Sequence, residues 1–118
     1  MKTTTVAIGS QAERRAQAYL ESHDFRLIKA NFHSRSGEID LIMIKDCTVV
    51  FVEVRYRNDT FRGTPVESIT PHKVRRIIRT AEYFLLIYPQ FGDMDFRFDV
   101  ISITDKLEWI KNAFTLDR

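Results

Sequence analysis

The sequence predicts an α/β domain with a mixed central sheet flanked by helices, in the order αβββαβ. Three observations carry that prediction. Apolar residues recur at helical spacing in two separate segments, Ala12, Ala16, Tyr19 and Leu20 near the start and Val74, Ile77, Ile78, Ala81 and Leu85 further on. Between them lie successive runs rich in Val, Ile and Phe, and one more follows the second helical segment. The length of 118 residues suits one domain spanning the whole chain.

The first helix is expected from Ser10 to about His23, where Ser10-Gln11-Ala12-Glu13 has the spacing of a capping box. A strand follows from Phe25 to Phe32, closed by the polar turn His33-Ser34-Arg35-Ser36-Gly37. Two strands come next, Glu38 to Lys45 and Thr48 to Tyr56, joined by the two-residue loop Asp46-Cys47. Arg57 to Thr70 reads as loop, centred on Gly63-Thr64-Pro65. Thr70-Pro71 then opens the second helix as N-cap and first-turn proline, and Pro89 lies beyond its end. Phe96 to Ile103 is the last clear strand, and Leu107 to Phe114 reads equally as short strand or helix.

Composition excludes several classes. A hydrophobic fraction of 44% and a charged fraction of 29% are those of a soluble globular protein. The 18 Lys+Arg against 16 Asp+Glu give a net charge of +2, too small by itself to indicate nucleic acid. A single cysteine, Cys47, excludes an internal disulfide and a thiol-only metal cage, and suits a reducing compartment. No signal-peptide pattern or membrane-length apolar run occurs, so a cytoplasmic protein with no membrane association is expected.

The chemistry lies on the central hairpin. With Asp46-Cys47 as the loop, Lys45 pairs with Thr48, and counting back along both strands sets Asp40 opposite Glu53. The same count sets Glu38 opposite Arg55, Ile42 opposite Phe51 and Ile44 opposite Val49, with Ile39, Leu41, Met43, Val50, Val52 and Val54 on the other, wholly apolar face. Opposed residues share a face, with Cβ atoms about 5 Å apart. Two like charges so placed among valines repel one another and resist desolvation. They can share a proton, recruit a cationic side chain or bind a cation. Arg55 or Arg57 for Glu53, and Arg35 or Arg97 for Asp40, would serve as ordinary ion-pair partners. A hard divalent ion such as Mg²⁺ would serve as well, and would suit phosphodiester cleavage.

An ordered pattern extends well beyond the hairpin. Gly9-x-x-Ala12-Glu13-x-x-Ala16-x-x-Tyr19-Leu20 is followed by Asn31-Phe32, by Gly37-Glu38-Ile39-Asp40-Leu41-Ile42, by Val50-Phe51-Val52-Glu53-Val54-Arg55, by Lys73-x-Arg75-Arg76 and by Arg97-Phe98-Asp99-Val100. From Gly9 to Ile103 it resembles the bacterial YraN family, described as endonuclease-like and distantly similar to archaeal Holliday junction resolvases. The resemblance implies the restriction-endonuclease-like fold and a DNA endonuclease dependent on Mg²⁺ or Mn²⁺, acting on branched DNA among other candidates. It further implies Asp40 and Glu53 as metal-binding carboxylates joined by Glu13 from the first helix; as a capping-box residue, Glu13 would instead be structural. Resolvase-like nucleases are often dimers, which makes a homodimer an expectation by analogy alone.

One position departs from the family pattern. Arg55 stands where the family usually has lysine. A guanidinium cannot act as a general base, but it can hold a phosphate oxygen or water. Arg55 would then orient the phosphate, or merely neutralise Glu38, or leave the lysine's role to Lys73. The substitution also admits an alternative, a nucleic-acid-binding module that keeps the nuclease fold without cutting, and a third reading has both acids in structural ion pairs of a protein-interaction subunit.

Supporting charges lie on the second helix, where Lys73, Arg75, Arg76 and Arg79 sit off the apolar stripe, and in the loop, at Arg57 and Arg62. They would grip DNA phosphates or simply form solvated surface. His23, His33 and His72 lack metal-ligand spacing, and Trp109 with Phe114 would form a small satellite core, a base-stacking platform or a dimer contact.

Overall fold

The computed structural model describes residues 5–57 and 63–115, with the side chains of 5–8 excepted. Helix α1 (Thr5–Glu21) leads into strands β1 (Arg26–Ser34), β2 (Gly37–Lys45) and β3 (Thr48–Tyr56). Helix α2 (Pro71–Ile87) and a short 3₁₀ turn (Pro89–Phe91) precede strands β4 (Asp95–Ile103) and β5 (Leu107–Phe114). The five strands form one sheet in the order β1-β2-β3-β4-β5. All neighbours are antiparallel except β3 and β4, which run parallel because α2 carries the chain back across the sheet. The predicted αβββαβ core is present, and the ambiguous tail is a fifth strand. No helix among the described residues is long and apolar enough to cross a membrane.

The sheet is covered on both faces, as its near-continuous apolar strands require. Ala12, Ala16 and Leu20 of α1 bury against Leu41, Met43, Val50, Val52, Ile101 and Ile103. On the other face Val74, Ile77, Ile78, Ala81 and Phe84 of α2 meet Ile42, Ile44, Val49, Phe51, Phe98 and Val100. Helix α2 starts where predicted: Thr70 Oγ1 accepts the Lys73 backbone N–H at 3.1 Å, and Pro71 occupies the first turn. Helix α1 starts earlier than predicted, at Thr5, and runs through Gly9, which lowers helix propensity without ending the helix. Ser10 is therefore an interior residue, and the capping-box reading of Glu13 is wrong.

Two further corrections define the geometry of the hairpin. The predicted register holds from Lys45–Thr48 to Leu41–Val52 and ends there. Beyond that point β2 stays with β1, to the Ser34–Gly37 pair, while β3 stays with β4, to the Tyr56–Ile103 pair. The sheet forks, and Glu38 faces His33 instead of Arg55. The expected alternation also breaks: Leu41 packs in the α1-side core, but Ile39 packs in the α2-side core. The reversal falls at Asp40, between the pairs Ala30–Leu41 and Phe32–Ile39. Asn31, in β1 between the same pairs, has a left-handed φ of 52°.

Trp109 and Phe114 do not form a joint satellite core. Trp109 packs in the α1-side cluster, and Phe114 stacks on Phe98 in the other. Below Trp109 lies Asp99, fully buried, which accepts from Trp109 Nε1 at 2.8 Å, from the Asn112 backbone N–H at 2.9 Å and from Arg97 through Nε and Nη2. Asp99→Ala removes the shared acceptor of these part-buried donors and empties a fully buried position. It is expected to cost about 3–5 kcal/mol of stability, measured by urea denaturation; a loss under about 1 kcal/mol would show that the network is dispensable.

Candidate functional site

At the mouth of the fork the chain buries two carboxylates. Asp40 is 8% exposed and Glu53 4%. Asp40 reaches across the gap where backbone pairing has ended, and its Oδ2 accepts the Val54 backbone N–H at 2.8 Å. The Asp40 and Glu53 carboxyls lie within hydrogen-bonding reach of each other. The like-charge opposition expected from the register is thus real, though the strands around it have parted.

Two helices complete the surroundings. Lys73, in the first turn of α2, places Nζ 2.9 Å from Glu53 Oε2. Arg55 is further away, 3.9 Å from the same oxygen, and its Nη2 donates to the Ser68 carbonyl at 3.2 Å. Its Nε is buried without a hydrogen-bond partner. Glu13 approaches from α1, hydrogen-bonded to Asn31 in a small cleft that Ser10, Arg14 and Leu41 help to line. Burial raises the Glu13 carboxyl above its usual range against the Asn31 hydrogen bond, and the charges of Glu38 and Glu53 raise it further. Glu13 therefore shares the electrostatic field of the acid pair. Among the described residues, no three carboxylate, imidazole or thiol side chains converge closely enough to hold a metal ion by themselves.

The basic residues of α2 divide. Arg76 turns towards the β1–β2 turn, where its Nε donates to the Ser36 carbonyl at 2.7 Å. A Cβ on Gly37 would stand 3.4 Å from that Nε, and Gly37 has a φ of 151°. Lys73 and Arg76 line an open cleft of about 420 Å³ with His33, Ser34 and Glu38. Arg75 and Arg79 lie exposed on the same helix. Arg57 sits just past β3, where its backbone N–H donates to the Ile103 carbonyl at 2.9 Å; Arg62 lies outside the described residues. Of the ion pairs considered for Asp40, Arg97 is committed to Asp99 instead. His33 pairs with Glu38 at 3.2 Å, and His23 packs against Tyr19 and Trp109.

Sequence reasoning missed Asn31 and Asp99 as determinants. Both carried a signal, since each is a small polar residue inside an otherwise strand-forming run, where it needs a local reason.

Burial, the charge of Glu53 and a hydrogen bond with Glu53 push Asp40 up from 3.8 to about 8, against the opposing Val54 N–H. The folded protein therefore holds this proton more tightly than the unfolded chain does. The resulting stabilisation is complete below about pH 4 and is lost as pH rises through about 8. Asp40→Asn keeps an acceptor for Val54 and removes the titration. Its Tm is expected to exceed that of the parent by about 3–6 °C near pH 8, with the gap closing towards pH 5. Parallel melting curves across that range would contradict the shared proton.

Residues 12–103 match the uncharacterised protein family UPF0102. The chain is 41% identical to a UPF0102 protein of Saccharophagus degradans over 92% of its own length and 93% of the relative's. It is 46% identical to one of Nitrosomonas europaea, over 90% and 92% of the two chains, and 42% identical to the UPF0102 protein YraN of Shigella flexneri, over 94% and 86%. Matches of this extent cover α1, the forked hairpin, α2 and β4 together, and the chain belongs to the UPF0102 family, which includes the YraN proteins.

Proposed function

We propose that this protein is a metal-dependent endonuclease that hydrolyses phosphodiester bonds in DNA, with Asp40 and Glu53 as its metal-holding carboxylates. The observation that carries this reading is the buried, proton-sharing acid pair at the fork. A chain that needed only stability would place apolar residues there; this one buries two acids that share a proton, and a divalent cation would displace that proton and take both carboxylates as ligands. The donor set suits a hard divalent cation, being all oxygen and close to an open, basic cleft. Asp40 and Glu53 would hold Mg²⁺ or Mn²⁺, with Glu13 adding charge from α1. Such an ion, when bound, lowers the pKa of its water and neutralises charge developing on the phosphate.

The chain's own residues supply the remainder. Lys73 brings to Glu53 the ammonium that the family pattern places at position 55, delivered from α2 instead of β3. It neutralises one carboxylate oxygen and orients a phosphate oxygen or the attacking water. Arg55 remains a fixed positive charge with a buried donor to spare, and takes no proton. Arg76, with Arg75 beside it on α2 and Arg57 just past β3, binds flanking phosphates of the DNA backbone.

A second reading is favoured by the absence of a closed three-ligand cluster among the described residues: a nucleic-acid-binding module that holds DNA without cutting it. The discriminating experiment incubates the purified protein with duplex, single-stranded and four-way-junction DNA in Mg²⁺, Mn²⁺ or EDTA. Metal-dependent cleavage is expected, lowered at least about 10²-fold in Asp40→Asn, Glu53→Gln and Lys73→Gln, while Arg55→Lys retains activity. Salt-sensitive binding without any metal-dependent product establishes the binding module instead.

A further inference from the structure

At the opposite end of the hairpin, five residues along β2 from Asp40 and so about 17 Å away, lies a cleft that the nuclease reading does not use. It has a volume of about 310 Å³ and is lined by His23, Phe25, Lys45, Arg97, Trp109 and Lys111, together with residues of the β2–β3 turn. Its chemistry is aromatic and cationic, with one carboxylate, Asp46, at the turn. Lys111 Nζ stands 4.4 Å from the Trp109 ring centroid. Lys45 Nζ and Arg97 lie 5.4 Å and 5.9 Å from the centroid of Phe25. Among the described residues neither Lys45 nor Lys111 forms an ion pair, whereas Arg97 is neutralised by Asp99.

The construction beneath this surface is unusually rigid. Tyr19, His23 and Phe25 meet the Trp109 ring edge-to-face at 6.0, 5.5 and 5.7 Å. Asp99 holds the indole N–H from below and fixes Arg97 beside it. Asn112, with a left-handed φ of 53°, turns its backbone N–H onto the same carboxylate. The ring is thus locked in orientation while Lys111, a flexible and exposed side chain, covers one face. A planar group can stack there by displacing that ammonium, which then meets the group's own negative charge.

We propose that this cleft is a binding site for an unpaired nucleotide of single-stranded nucleic acid, its base stacked on Trp109 and its phosphate held by Lys45 and Lys111. A locked aromatic ring flanked by mobile cations is the arrangement such strands require, because every base offers a π-face and every linkage a charge. The site is separate from the acid pair and does not depend on metal or cleavage.

Trp109 is the chain's single tryptophan, so its fluorescence reports occupancy directly. The full chain is titrated with short oligothymidylate in EDTA. Saturable quenching is expected, with an apparent Kd raised roughly tenfold in the double variant Lys45→Gln/Lys111→Gln and by rising salt. The same quenching in Asp40→Asn/Glu53→Gln, whatever that variant does to cleavage, separates this site from the nuclease reading. Absence of quenching, equal titration of the lysine variant, or equal quenching by inorganic tripolyphosphate would each overturn the proposal.

Discussion

Everything at the candidate site follows from the point where β2 and β3 part company. Up to Leu41–Val52 the hairpin is an ordinary antiparallel ladder; past it, each strand keeps only its outer neighbour. The parting leaves the Val54 N–H without a backbone partner in β2, and the Asp40 carboxylate supplies one. A backbone donor buried without an acceptor is costly, so the fork and the carboxylate require each other. Glu53 then has its negative neighbour fixed beside it, and Lys73 must come from another element to offset the charge.

The protein contains a second buried carboxylate treated in the opposite way. Asp99 is surrounded by donors from Arg97, Trp109 and the Asn112 backbone, so its charge is fully matched. Asp40 has one backbone donor and a glutamate. The two buried aspartates of this sheet therefore differ in kind: one is charged and ties β4 to β5, and the other holds a proton against a neighbouring glutamate. A buried acid pair of this kind is less stable than an apolar pair would be, which is why the proposed function rests on Asp40 and Glu53 and not on Asp99.

The periodicities that exposed the helices and strands are simple consequences of burying one helical stripe or both faces of a central sheet. That is why the order of elements, the Asp46-Cys47 turn and the start of α2 at Thr70 were legible from residues alone. The Asp40–Glu53 opposition was legible for the same reason, as arithmetic on a hairpin. What escaped were departures from regularity. Continuing the ladder past Leu41 gave Glu38 the wrong partner, because nothing in an alternation rule signals where two strands separate. The reversal of Ile39 coincides with a left-handed backbone at Asn31 in the neighbouring strand, a conformation that asparagine permits without demanding. The approach of Lys73 to Glu53 is a tertiary contact between a crossover helix and a strand; helical spacing put Lys73 off the apolar stripe but could not say what it would meet.

The parallel pairing of β3 with β4 also divides the site between local and non-local parts of the chain. Strands β1 to β3 are joined by tight turns, so their pairing closes short loops and can form early. Strand β4 and helix α2 join only after a long excursion of the chain has been closed, at a larger entropic cost. The two carboxylates thus belong to a locally encoded meander, whereas the lysine that balances one of them arrives with the crossover. Closing the meander that carries the acids therefore costs less chain entropy than closing the crossover that brings Lys73 to Glu53.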